Sequence, residues 1–179
     1  MRQLFLALFL VLAVAAQAQN LVRNGGFSQG SPKYGTMPPE WTADPVGSGG
    51  WGYVNDDGVL GVDELPNAVV FTAGSGTGQL VQKITCQPDT DYVLRASLKA
   101  NGCVPKVEVI SADGKALASL SGDADRHGFW KHFDRKFASG KNRELTVRLT
   151  GSITAAAGKS GIDQVSVLPA AAAALATAG

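Results

Sequence analysis

The sequence predicts an all-β sandwich of about nine or ten short strands. Two observations carry this. Apolar residues alternate with polar ones at a period of two in several segments. In addition, 22 glycines and eight prolines are spread along the 179 residues and punctuate the chain with turns. Outside the N-terminus, no segment carries a long apolar pattern at the 3.6-residue helical period.

In order along the chain, Met1-Arg2 opens a leader with a positive charge, and residues 4–16 form an uninterrupted apolar run. Ala16-Gln17-Ala18 has the small-x-small pattern of a signal cleavage site. An apolar core of this length suits a signal peptide, since spanning a bilayer takes about 20 residues. Residues 1–18 are therefore expected to be removed and the mature protein secreted. Cleavage takes away one arginine, so the formal charge falls from +1 to 0. A neutral chain with 17% charged residues has no electrostatic footprint for nucleic acid or an anionic membrane.

In 92–100, YVLRASLKA, the residues Tyr92, Leu94, Ala96, Leu98 and Ala100 share one face. Arg95, Ser97 and Lys99 share the other, with Val93 the exception. In 144–150, ELTVRLT, Leu145, Val147 and Leu149 alternate with polar neighbours. KVEVISADGKALASL, from Lys106, reads as a hairpin turning at Asp113-Gly114. Phe133, Arg135 and Phe137 mark a further strand. In 160–169, SGIDQVSVLP, Ile162 is out of phase with Val165 and Val167. One extra residue near Asp163-Gln164, a β-bulge, would bring all three to the core and re-aim Asp163. The two cysteines, Cys86 and Cys103, flank the strand at 92–100, which is about 30 Å long at ~3.3 Å per residue. They can pair only if the loop at 101–103 turns back; a disulfide and two buried thiols both stay open. After residue 168 the chain ends in an Ala-rich, low-complexity stretch read as a frayed end or linker stub. A single domain, 19–168, remains.

Five segments in order carry a resemblance: NLVRNGGFSQG at 20–30, PPEW at 38–41, GQLVQKITCQPDTDYVLRASLKA at 78–100, FWKHFDRKF at 129–137 and SGIDQVSV at 160–167. Together they resemble the carbohydrate-binding modules of the cellulase-C type, families 4, 9 and 22, with a galactose-binding-like jelly roll. The resemblance implies Trp41 and Trp130 as scaffold residues. It also implies a structural calcium where the first and last strands meet, with the Gly26 carbonyl, Ser28 and Asp163 as ligands. Ser28 and Gln164 stand where the pattern favours acids, which leaves Asp163 as the one carboxylate in those two motifs.

Sugar recognition calls for a flat aromatic face against the C–H face of a pyranose, with side chains that bond its hydroxyls. Trp51 and Tyr53, set among glycines, are the stacking candidates. Arg95, Lys99 and Arg148, outward-facing on two strands, are the polar candidates if those strands line one sheet face; that would favour acidic or polar β-glycans. Residues 53–64 match part of a calcium-loop pattern but begin on Tyr53. The Gly-rich 73–79 lacks the Lys-Ser/Thr of a phosphate loop. His127 and His132 read as isolated surface residues, and no nucleophile motif appears. The expected protein is a secreted, monomeric, non-catalytic binder of polysaccharides or oligosaccharides, with no nucleic-acid or membrane partner. A surface or matrix protein using the sandwich for protein contacts is the alternative, and a small glycan-active hydrolase a more distant one.

Overall fold

The computed structural model describes residues 19–30, 37–43, 51–55, 67–72, 79–122, 129–153 and 159–175. The expected leader, most of the partial calcium loop, the glycines of 73–78 and His127 lie outside them. Ten strands are described: β1 (Thr42–Ala43), β2 (Trp51–Asn55), β3 (Asn67–Thr72), β4 (Gln79–Thr85), β5 (Asp91–Asn101), β6 (Cys103–Ser111), β7 (Ala116–Ser121), β8 (Lys131–Ala138), β9 (Glu144–Ile153) and β10 (Lys159–Pro169). One short helix, α1 (Ala170–Leu175), follows.

Alternation in each strand forces a two-layer solution, because each sheet has one apolar face that must be covered. The first sheet runs β1-β4-β9-β6-β7 and the second β2-β3-β10-β5-β8, all neighbours antiparallel. Leu80, Val107, Val147 and Leu149 of the first sheet meet Leu94, Leu98, Ile162 and Val167 of the second in one core. Each such side chain contributes about 1.5–3 kcal/mol on burial.

The hairpin and the bulge both occur as the residues require. β6 and β7 are joined through residues 112–115, with the Gly114 N–H donating to the Ser111 carbonyl and Gly114 at φ 83°. Between β10 and β5, Asp163 pairs with Ser97 and Ser166 with Arg95, so two β10 residues oppose Ala96 alone. Gln164 takes a φ of 52°, and Ile162, Val165 and Val167 are all buried. The cysteines are buried free thiols at opposite ends of β5. Cys86 Sγ donates to the Asn142 carbonyl, and Cys103 Sγ accepts from Ser160 Oγ.

Residues 20–27 dock beside β10, on the edge that β3 leaves uncovered past the bulge. The Val165 N–H donates to the Gly25 carbonyl at 2.9 Å, Leu21 N–H to the Val167 carbonyl, and Val167 N–H to Asn20 Oδ1. Buried Gln82 of β4 ties the segment to the first sheet: its Oε1 accepts from Arg23 N–H, and its Nε2 donates to the Arg23 and Glu40 carbonyls. Phe27 and Trp41 are core residues with ring centroids 5.7 Å apart. The positive φ angles of this turn fall on Asn24 and Phe27, not on the glycines. Gly25 is required for a different reason: a Cβ there would lie 1.9 Å from the Val165 carbonyl oxygen.

Two expectations change. The Ala-rich end is not frayed over Ala170–Leu175; it forms α1, and Ala173 is buried. Arg148 does not share a sheet with Arg95 and Lys99, because β9 is central in the first sheet and β5 belongs to the second. Its guanidinium is held by Glu108 of β6, with Nε at 3.2 Å and Nη2 at 2.8 Å from Oε2. Lys106 Nζ reaches the other oxygen at 2.7 Å.

Two outcomes follow from these contacts. Gly25→Ala should cost about 2–4 kcal/mol, because backbone rather than a flexible side-chain tip must move. An unchanged urea midpoint would show that the segment is not clamped on β10. Burial alone would push the Glu108 carboxyl up, but hydrogen bonds from Lys106 and Arg148, and their charges, hold it below the usual carboxylate range. With a lowered folded-state pKa, this stability is present above the unfolded value and is lost as pH falls through the folded one. Glu108→Gln should therefore cost about 1 kcal/mol near neutral pH, discounted because both cations stay partly in water. The difference should shrink in acid, and urea titrations at the two pH values check it; a gap that is the same in both would contradict the linkage.

Candidate functional site

The outer face of the second sheet carries the polar residues of β5, and β8 and β10 flank them. The register sets Ser97 beside His132 and Asp163, Arg95 beside Asp134 and Ser166, and Val93 beside Lys136 and Leu168. Alternation in β8 places His132, Asp134 and Lys136 on this face. Together with Arg95, Ser97, Gln164 and Ser166, they line a depression of about 620 Å³.

α1 closes one end of it. Ala170, Ala173 and Ala174 line the wall, and the helix packs on β5 and β10. This explains Val93, the apolar residue that breaks the alternation of β5: it lies on the outer face yet is buried. Arg95 Nη2 donates to the Ala173 carbonyl at 3.0 Å, which anchors the helix and fixes the guanidinium at its foot.

At the floor, Ser97 Oγ lies 3.0 Å from Gln164 Oε1 and 2.8 Å from His132 Nδ1. A hydroxyl has one proton to give. With that proton on Gln164 Oε1, His132 donates through Nδ1–H, and its Nε2 is left as an acceptor. The bulge makes this arrangement, since the extra residue, Gln164, is the one whose side chain reaches Ser97. Farther along the face, the Trp130 ring lies over Gly161 of β10: a Cβ at Gly161 would be 2.6 Å from Trp130 Cη2. Trp130 is therefore a part-exposed residue of the outer face, not a core residue like Trp41.

Of the residues singled out in the sequence, Arg95 lines the depression, and Lys99 follows it by one outward position on β5. Arg148 is on the opposite sheet. β2 is described by its backbone, which sets Trp51 in the row of Phe71, Ser160 and Ala100 and Tyr53 in the row of Val69, Ile162 and Leu98. Sequence reasoning missed His132, Asp134, Lys136, Ser97 and Gln164. The signal was present in KHFDRKF, where the polar alternates between Phe133, Arg135 and Phe137 define a second face.

At the junction of the N-terminal segment and β10, Asp163 is buried and its Oδ1 accepts the Gln164 N–H at 2.6 Å. Ser28 is exposed and Gly26 half-buried. Among the described residues, no three His, Cys, Asp or Glu gather into a metal-holding group. A calcium there would draw on one carboxylate, with backbone carbonyls, a hydroxyl and water completing its six to eight oxygens.

No family model matches the chain, and no curated protein matches it. Solved structures do. A family 61 carbohydrate-binding module in complex with β-1,4-galactotriose superposes with a TM-score of 0.64 at 17% identity, covering 84% of this chain and 99% of that one. An arabinose-bound family 51 α-L-arabinofuranosidase gives 0.62 at 14% identity over 86% of this chain, which spans 27% of the enzyme. A family 4 carbohydrate-binding module gives 0.54 at 16% identity, covering 83% and 99%. At these identities the likeness is one of fold: the chain has the two-sheet β-sandwich fold that these structures share.

Proposed function

We propose that this protein is a secreted, non-catalytic carbohydrate-binding protein that holds a glycan chain on the outer face of its second sheet. The observation that carries this reading is the depression walled by α1, β5 and β8, on a fold shared with carbohydrate-binding modules. Arg95, Ser97, His132, Gln164 and Ser166 converge there as donors and acceptors, the equipment that orients hydroxyl-rich ligands. In this reading Trp130 supplies the flat face for a pyranose. Trp51, Tyr53 and Lys99 are further contacts proposed from the sequence, and a structural calcium at Asp163 belongs to the same reading. The protein acts as a monomer.

The Ser97–His132 contact favours binding over hydrolysis. Ser97 is buried, and its hydroxyl sits between Gln164 Oε1 and His132 Nδ1 on the floor of the sheet rather than open to a reacting carbonyl. The two sugar-face groups make separable contributions, hydrogen bonding at Ser97 and His132 and stacking at Trp130.

Affinity electrophoresis of the mature chain over a panel of soluble glycans, with and without a chelator, tests the reading. At least one glycan should retard the protein. His132→Ala and Trp130→Ala should each weaken that retardation about tenfold, equivalent to ~1.4 kcal/mol. Loss of retardation, or of thermal stability, on chelation would support the calcium, and no change in either would remove it. Migration unaffected by every glycan would overturn the assignment and leave protein contacts as the use of this sandwich.

A further inference from the structure

We infer that the depression selects sugars bearing an oxyanion, either the carboxylate of a uronate or a sulfate ester. This rests on the glycan-binding reading and names the ligand class of the same site.

The inference comes from how charge is distributed. The chain as a whole is close to neutral, yet its cations are not spread evenly between partners. Several cations elsewhere are matched to acids: Arg23 to Glu40, Lys83 to Glu144, Lys141 to Asp89, and Lys106 and Arg148 to Glu108. Arg95 and Lys136 line the depression between β5 and β8, and neither enters an ion pair among the described residues. Asp134 is the one acid in the lining. It stands across from Arg95 in the register, and no ion pair joins them.

A cation in a concave site with low-dielectric walls keeps more of its attraction for an anion than one on an open surface. Arg95 is also preorganised. Its bond to the Ala173 carbonyl takes up one N–H and holds the planar group in place, leaving further donors in a geometry suited to an oxyanion. Lys136, one row farther along β8, supplies a mobile second charge. His132 and Ser166 of the lining meet the ring hydroxyls. The apolar surface of α1 (Ala170, Ala173 and Ala174) excludes water from one side of the Arg95 guanidinium, which strengthens its pairing with a ligand charge.

The test compares polygalacturonate, alginate and a sulfated galactan, each beside its carboxyl-reduced or desulfated form, by affinity electrophoresis of the mature chain. At least one charged polymer should bind about tenfold or more tightly than its neutral counterpart, and the preference should weaken as salt rises. Arg95→Met should lower that affinity about tenfold and Lys136→Gln about threefold, whereas Asp134→Asn should raise it a few-fold. Lys136 and Asp134 are exposed, so their variants fold even if Arg95→Met loosens α1. Opposite signs at these two positions require a ligand charge; damage to the fold would weaken binding in both. If neutral and charged forms bind alike and Lys136→Gln and Asp134→Asn change nothing, the charge inference falls while the glycan-binding reading stands. If no member of either series binds, both fall.

Discussion

The extra residue in β10 is the constraint on which the rest depends. A strand turns its side chains over every two residues, so without an insertion Ile162 could not share the core with Val165 and Val167. Gln164, at positive φ, supplies the insertion and returns Val165 and Val167 to the inward phase. The same step has two further consequences. It leaves the Val165 N–H free of the β5 ladder, to be taken by the Gly25 carbonyl, and so gives the N-terminal segment its place beside β10. It also turns the Gln164 side chain to the outer face, where it meets Ser97. Core phase, chain entry and the floor of the depression thus come from one backbone irregularity.

The two outer faces of the sandwich differ in how they manage polarity. On the first sheet, charges neutralise one another: the buried Glu108 is gripped by Lys106 and Arg148, and an isolated carboxylate there would be costly. On the second sheet, α1 lies across one end and converts an open sheet face into a walled depression. The alanines suit this position, because small side chains let the helix sit close to β5 and β10 while burying little polar surface. Arg95, held by a helix carbonyl, then lines that depression with Lys136 and Asp134 of the edge strand.

Much of the fold was legible before any coordinates. The alternation in 92–100 and 144–150, the Asp113-Gly114 turn and the phase break in 160–169 all follow from local rules and all occur. Less of the site was legible. Arg95 was visible as an outward residue, but its partners were not. Period-two patterning assigns a residue to a face, whereas the identity of the neighbouring strand depends on pairings between distant parts of the chain. For that reason Arg148 looked equivalent to Arg95, although the two lie on opposite sheets.

The sequence by itself determined which residues point inward along each strand, where the chain turns, and where the last strand must bulge, because these depend on side-chain periodicity and backbone sterics within a few residues. Only the tertiary structure decided that β8 and β10 flank β5, that His132 meets Ser97, and that an alanine stretch closes a wall over Val93. The physical reason is that strand order and helix docking are set by burying one continuous core. That is a property of the whole chain, and no local segment carries it.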